Sequence, residues 1–309
     1  MSNKPLIAVG GIHYPLSMMS YFIRALERRD DIELWTFGPY TGSWIPWNGG
    51  MNLLAKYAKV PNFPMPQSAI TSKVPSSFIN ALMPREPDVT LLVDAGWHPI
   101  DRPNGRTIVH VKTDPHAIQP QFYNEAKAYA DIVFSMQGPY IEYGEKYLPY
   151  AADKICHAPM EGLEKDFDVC MVGLHYDHRN QLVRMLRGMG LNVYYDIGSI
   201  FEEFTELYSR SKVAISWSSL LDLPARVFEN MYMAIPLVTN RVPDLSTHFV
   251  EDEHYLGFSN HTEAVSKVVW ALDNLEEANE MAWKAHRKVK AQHLWNYRIN
   301  TILDTVGLK

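Results

Sequence analysis

Short apolar runs of strand length recur along this chain with helix-length amphipathic stretches between them, and the alternation happens twice. PLIAV, residues 5–9, is the first run and stops at Gly10-Gly11, the pattern of a buried parallel strand entering a turn. After Pro15, LSMMSYFIRALERRDD has apolar residues at helical spacing and turns basic at its end, which suits the helix dipole. IELWTF (32–37) completes a β-α-β unit, and DVTLLVDAG (88–96), RTIVHVKTD (106–114), a helix over Gln121–Ala130 and DIVFSMQ (131–137) extend it. Strands alternating with helices through short turns fold as a doubly wound parallel sheet.

The alternation restarts after AADKICHAPMEG, a segment with few periodic positions. DFDVCMVG (166–173) reads as strand, Arg179–Met189 as helix, LNVYYDIG (191–198) as strand and Ile200–Ser209 as helix. KVAISWS (212–218) and PLVTN (236–240) are strands flanking a helix over Pro224–Met233, and helices over 261–273 and 275–290 follow. The chain is therefore read as α/β with two Rossmann-like domains, 1–157 and 158–309, facing each other across a cleft. The terminal helical segment LWNYRINTILDTVG is placed to cross back to the first domain. A length of 309 residues is enough for two such cores. Between Gly38 and Ser77 the pattern fails, apart from a helical turn or two around MNLLAKYAK. Glycine, proline and aromatics dominate there, and a loop region this long usually carries function.

Charge and cysteine content remove several function classes. The net charge of −6 argues against a protein that coats nucleic acid or an anionic membrane. Cys156 and Cys170 are the only cysteines and lack metal-ligand spacing, so neither a disulfide framework nor a structural zinc site is expected and a reducing cytoplasm fits. No apolar run reaches the roughly 18 residues of a membrane span. A soluble intracellular protein is expected.

The chemistry concentrates in LPARVFENMYMAIPLVTN, 223–240. Pro224 suits a helix start, and Arg226 and Glu229, three apart, share a face in or just after the first turn. Unpaired N–H groups and the dipole favour an anion there, and the preceding strand would end at the carboxyl edge of a sheet, where open α/β folds bind ligands. Arg226 can then clamp a phosphate and Glu229, one turn deeper, can accept hydrogen bonds from a ribose. The competing reading of the spacing is an i,i+3 salt bridge on a solvated face. Three further constellations lie at strand ends. In VGGIHYP, Gly10 and Gly11 let a backbone approach a phosphate or sugar or make a plain tight turn, and His13 follows. GxGxxG is absent, which disfavours a nicotinamide enzyme. KTDPHAIQ places Asp114 and His116 at a carboxyl edge, against the alternative of an Asp-Pro turn. DHRN puts Arg179 at a helix start beside Gly173, a second cation for phosphates or a surface arginine.

PARVFENMYMAIPLVTNRVPDL resembles the signature of group 1 glycosyltransferases, and more closely the CgeB-like (spore maturation protein) branch, with its R-x-FE run ahead of an apolar strand. DVCMVGLHYDHRNQLVRML and EDEHYLGFSNHTEAVSKV are similar to that family's flanking segments. The resemblance covers most of 166–300 and implies the GT-B fold, with Glu229 on the nucleotide ribose and Arg226 on the diphosphate. It also raises Asp114 and His116, because the family often places such residues against sugar or acceptor. Retaining members often carry two glutamates at a fixed spacing; the first would fall here on Leu221, with Asp222 next to it as the stand-in that touches the sugar. The family's Cys-Gly pair is Ala234-Ile235, which leaves the backbone before Pro236 less free.

The expected activity is hexosyl transfer from a nucleoside diphosphate sugar, a UDP-sugar above others, with retention. Arg226 and Arg179, helped by the Gly10-Gly11 backbone, would stabilise the leaving diphosphate. No DxD-like motif stands at a strand end, so no cofactor or metal is expected. The acceptor, whether saccharide, protein or modified nucleic-acid base, is sought at the Trp- and Pro-rich segment 38–66, with Trp35, Trp44 and Trp47 as stacking faces. The alternatives are a nucleotide-sugar epimerase or hydrolase on the same fold, and a non-catalytic structural or binding protein.

Overall fold

The structure, a computed structural model, describes residues 4–45, 51–52, 57–94, 97–117 and 120–308. The chain divides into two compact units, Met1–Pro149 with Asn296–Lys309, and Tyr150–Trp295.

In the first unit the strands are β1 (Leu6–Gly10), β2 (Glu33–Pro39), β5 (Phe63–Met65), β6 (Val89–Asp94), β7 (Thr107–Lys112), β8 (Ile132–Ser135) and β9 (Lys146–Tyr147), joined in the order β5-β2-β1-β6-β7-β8-β9. Every pairing in this sheet is parallel. A separate antiparallel pair, β3 (Trp44–Ile45) with β4 (Met51–Asn52), stands outside it. Helix α1 (Met18–Glu27) buries Met19, Phe22, Ile23 and Leu26, the three- and four-residue spacing that lays one stripe on the sheet. The described residues between 38 and 77 are more ordered than their composition predicts. β2 runs on to Pro39, β5 pairs with its end, and two short helices follow, α2 (Ala69–Ser72) and α3 (Ser76–Asn80). Parallel pairing needs only a few residues of extended backbone here, so no periodicity announces it. A further helix, α4 (Pro120–Lys127), precedes β8.

The second unit has five strands, β10 (Phe167–Val172), β11 (Val193–Asp196), β12 (Ser211–Ser216), β13 (Leu237–Asn240) and β14 (Leu256–Phe258), in the order β11-β10-β12-β13-β14. All four pairings are parallel. Helices α5 (Asp177–Gly188), α6 (Phe201–Ser209), α7 (Ala225–Tyr232), α8 (Leu245–His248), α9 (His261–Asp273) and α10 (Leu275–Gln292) connect or cover them. The core gathers Val169, Met171, Val213, Ile215 and Val238 from the strands with Leu182, Leu186 and Val268 from the helices. A last helix, α11 (Trp295–Thr305), falls almost wholly in the sequence range assigned to the first unit.

Strand order locates the ligand edge in each sheet. The chain leaves β10 for β11 on one side and returns to β12 on the other, and β1 is flanked likewise by β2 and β6. Such reversals open a crevice at the carboxyl ends of the strands. Gly173 and Trp217 follow β10 and β12, and Gly11 follows β1.

Candidate functional site

At the reversal in the second unit two arginines converge on one glycine. Helix α5 buries Leu182, Val183 and Leu186 against the sheet, and Arg179, one turn earlier on the same stripe, is carried into the interior with them at 6% exposure. Its Nε donates to the Trp217 carbonyl at 2.9 Å, Nη1 to the Leu174 carbonyl at 3.0 Å, and Nη2 again to Trp217. Tyr176 lies under the guanidinium, 5.0 Å from ring centroid to Cζ. Arg226, second residue of α7, comes in from the other side. A Cβ built on Gly173 would lie 3.0 Å from Arg226 Nη2 and 3.1 Å from Arg179 Nη1. Gly173 itself has φ +153°, a backbone that glycine takes without penalty.

Among the described residues no carboxylate forms an ion pair with either arginine. Among the described residues Arg226 has no ion pair and no hydrogen-bond partner, and Arg179 bonds only to carbonyls. In particular no ion pair joins Arg226 to Glu229, so the salt-bridge reading of their spacing does not hold. Burial first, and then the Arg226 charge, pull the Arg179 pKa down to about 10, so it is still protonated at neutral pH. Behind the arginines, burial pushes the Cys170 thiol up to about 12 and the Tyr208 phenol upward as well. Neither supplies negative charge near neutrality. The N-cap residues of α5 and α7, Tyr176 and Pro224, make no side-chain cap, so both helix starts leave N–H groups for a ligand. Two like charges held close without a counter-ion are an anion site by construction.

Glu229 is buried at 7% because α7 is covered nearly all round, with Val227, Phe228, Asn230, Met231 and Tyr232 also interior. His157 stands beside it, with Nε2 3.8 Å from Oε1. Sequence reasoning gave His157 no role, since it sits in the aperiodic 151–165 segment. Asp222 accepts a hydrogen bond from the Ser218 hydroxyl. The Ser218 backbone is in turn held on both sides by Asn240, at 2.8 and 3.3 Å. The loop from β12 to α7 is thus pinned while Leu221, at φ +59° and 61% exposed, carries its strain. Across the same edge, His178 stands 5.0 Å from Trp217 ring to ring, and Ser219 Oγ lies 3.3 Å from its Nε2. Burial and then the Arg179 charge lower its pKa, so it is neutral at pH 7.

The first unit's candidates sit differently. Gly10 ends β1, and the space of its missing Cβ is filled by the Phe37 ring, 2.3 Å from where that atom would stand. At Gly11 the Val93 carbonyl stands at 2.7 Å and the Met19 sulfur at 2.9 Å. Both glycines answer to close packing inside the fold. His13 is 5% exposed, and its Nε2 donates to the Phe37 carbonyl at 3.1 Å. Burial pulls its pKa down to about 4, against the smaller opposing effect of that hydrogen bond. It is a neutral imidazole with Nε2 engaged. Asp114 and His116 are half-buried in the turn after β7. The Asp114 carbonyl accepts from Ala117 N–H at 3.0 Å, as in a capped turn, and the His116 ring stands 5.9 Å from Tyr140.

Of the three tryptophans expected to offer stacking faces, Trp35 is corrected. It is 8% exposed and packs at 5.4 Å on Phe37 in the core, because β2 turns that residue inward. Trp44 is half-buried, and Trp47 lies outside the described residues. Among the described residues no group of three or more His, Cys, Asp or Glu could hold a metal ion, and no helix is long and apolar enough to cross a membrane.

Residues 155–304 match a protein-family model described as glycosyl transferase-like. No curated protein sequence matches the chain. Among solved structures, sucrose-phosphate synthase from Thermosynechococcus elongatus is similar at 13% identity and TM-score 0.65, with 98% of each chain covered. An alpha-glucosyltransferase in complex with UDP and a mismatch-containing DNA is similar at 10% identity and TM-score 0.66, over 98% of this chain and 99% of that one. HepE of Anabaena, in complex with UDP, is similar at 10% identity and TM-score 0.62 with the same coverage. The fold is that of the GT-B glycosyltransferases, two Rossmann-like units, as the strand-helix order indicated.

Proposed function

We propose that this chain is a glycosyltransferase of the CgeB-like branch that moves a hexose-type sugar from a UDP-sugar to an acceptor, with retention at the anomeric carbon. The observation that carries the reading is the pair of guanidinium groups converging on Gly173 with no ion pair to a carboxylate among the described residues. A nucleoside diphosphate is the leaving group in such a transfer, and its developing charge needs fixed positive charge in a partly dehydrated site. Arg226 binds the diphosphate, Arg179 adds a second, rigid cation, and the starts of α5 and α7 contribute N–H groups. Glu229 accepts hydrogen bonds from the ribose, and Asp222, oriented by Ser218, touches the sugar. These groups place positive charge on the diphosphate with side chains alone, so the reading includes no metal or other cofactor.

Support for uridine comes from the similar structures solved with UDP. In the first unit, Asp114 and His116 are the proposed acceptor-side groups. His13 serves as a neutral acceptor through Nδ1, and Gly10 and Gly11 keep that strand end close-packed. The acceptor is a saccharide, a protein or a modified nucleic-acid base, and the cytoplasm is the proposed compartment.

Titration calorimetry with UDP, GDP and ADP, followed by a donor-turnover screen with and without candidate acceptors, tests the reading. UDP is expected to bind, and Arg226→Ala to weaken it at least tenfold with the melting temperature unchanged, since Arg226 has no partner among the described residues to lose. Failure of every nucleotide to bind would overturn the enzyme reading in favour of a binding protein. Full donor consumption without acceptor would replace transfer by hydrolysis or epimerisation.

A further inference from the structure

We propose that Tyr208 is a positioning residue that holds strands β10 and β12 apart at their carboxyl ends, and so keeps Gly173 and Arg226 at the spacing that takes a diphosphate. The inference rests on the donor-site reading above. It starts from a place where the sheet comes apart. β10 pairs with β12 at Phe167 with Ser211, Val169 with Val213 and Cys170 with Ala214, and the pairing stops there. Both strands run two residues further and stay paired on their outer sides, Val172 with Asp196 of β11 and Ser216 with Thr239 of β13. Met171 and Val172 on one side, and Ile215 and Ser216 on the other, therefore border an unpaired seam.

A tyrosine closes that seam from one face. Helix α6 buries Phe201, Phe204, Thr205 and Tyr208, the spacing of a single stripe, and Tyr208 is fully buried. The Gly173 N–H goes to the Asp196 carbonyl, on the β11 side, at 3.0 Å. Successive N–H groups of a strand point to opposite sides, so that of Val172 faces β12. It donates to the Tyr208 hydroxyl at 3.0 Å. A buried N–H without an acceptor is costly, and the phenol oxygen supplies one without the two strands closing. Burial raises the Tyr208 pKa, so the group acts as a neutral phenol. The Asn230 carboxamide, also fully buried and one turn beyond Arg226 on α7, adjoins the same oxygen. Tyr208 thus links the end of β10 to the helix that carries Arg226. At the ligand edge Arg179 spans the two strand ends, from the Leu174 carbonyl after β10 to the Trp217 carbonyl after β12. One more rung of pairing would draw β10 toward β12 and push Gly173 into the guanidinium groups, which already stand 3.0 and 3.1 Å from where its Cβ would be. Tyr208 therefore acts through a strand and a helix and touches no ligand.

The test reads the preference for a diphosphate over a monophosphate, a ratio that does not depend on how much of a variant is folded. Affinities for UDP and UMP are measured by calorimetry on the full chain for the wild type, Arg226→Ala, Tyr208→Phe and the double variant. The wild type is expected to prefer UDP by about tenfold, the scale of one hydrogen bond to a charged group. Tyr208→Phe removes a single oxygen and should cut that preference several-fold. Arg226→Ala should cut it at least as far, and the double variant should lose no more than the larger single loss. A purely structural tyrosine would lower the urea midpoint and leave the ratio alone. Retention of the preference in Tyr208→Phe while Arg226→Ala loses it overturns the positioning role and leaves the donor-site reading standing. Amide exchange on the wild type needs no substitution. The Val172 N–H should be protected before any nucleotide is added, and rapid exchange there overturns the proposal as well. A wild type that binds UDP no better than UMP overturns both readings, and is told apart because the failure appears before any substitution.

Discussion

Both sheets present glycine at the carboxyl end of their first strand, and the two glycine sites are opposite in kind. At Gly10 the missing side chain is replaced by the protein's own Phe37 ring, and His13 beyond it is buried, neutral and bonded to a carbonyl. At Gly173 the missing side chain faces two guanidinium groups, one of them without any partner among the described residues. The same sequence sign, a glycine closing a parallel strand, thus arises once from tight internal packing and once from space kept beside charge. A glycine after a strand says that something approaches closely. Only the neighbours say whether that something is protein or ligand.

Alanine at each position separates the two cases, and this is the largest effect expected. In Gly10→Ala the new methyl meets an aromatic ring buried among Trp35 and Trp97, which has nowhere to go. The expected loss is about 3 kcal/mol of stability, read by urea unfolding, with nucleotide affinity of the folded fraction unchanged. In Gly173→Ala the methyl meets the far ends of two arginines, which can shift. The expected stability loss is smaller, about 1 kcal/mol for the backbone conformation, and UDP affinity falls at least tenfold by calorimetry. A Gly173→Ala variant that binds UDP normally would remove the diphosphate from that glycine.

Much of this was legible in the residues. The order of strands and helices, the strand ends at Gly10 and Gly173, and the arginines of DHRN and PARVFE all follow from periodicity and from the rule that ligands sit at carboxyl edges. Periodicity reports which face of an element is buried, and it is silent on what two distant segments do to each other. That is why Trp35 reads as a stacking face in the sequence and why His157 gives no signal there: its segment has no period, and its neighbour Glu229 is seventy-odd positions away in the sequence. The partner of Glu229 was legible only as a choice between Arg226 and a ligand. In the structure His157 also stands beside it, with Nε2 3.8 Å from Glu229 Oε1.

Acid exposes the second difference between the units. His13 has its pKa lowered from 6.5 to about 4 in the folded state. The unfolded chain therefore binds the proton more readily, and stability contributed by the neutral ring is fully present above pH 6.5 and lost as pH falls toward 4. Between pH 7 and pH 5 this amounts to about 2 kcal/mol. His13→Gln keeps a donor for the Phe37 carbonyl and has no proton to gain, so its stability should fall less over that range by about that amount. His178, His254 and His286, all in the second unit, are shifted downward chiefly by burial too, so both proteins still lose stability in acid and the difference between them is what reports on His13. Equal falls in the two proteins would mean that His13 is already solvated.

The smallest effect reverses the comparison. Gly10 is a glycine whose backbone does not require one, whereas Ala234 occupies a left-handed backbone at φ +57°. It directly follows Met233, the C-cap of α7, where its N–H donates to the Met231 carbonyl and the next N–H reaches Asn230. Helices commonly end this way on glycine, because a Cβ crowds the backbone there. The strain expected from the sequence before Pro236 thus falls on Ala234. Ala234→Gly should relieve it and raise stability by about 1 kcal/mol after allowance for the freer unfolded chain, seen as a higher urea midpoint with unchanged slope. UDP affinity should stay the same, because the C-terminal end of α7 is remote along the helix from Arg226. A gain in stability accompanied by weaker binding would mean that the strain at Ala234 is transmitted along α7 and helps to hold Glu229 and Arg226 in place.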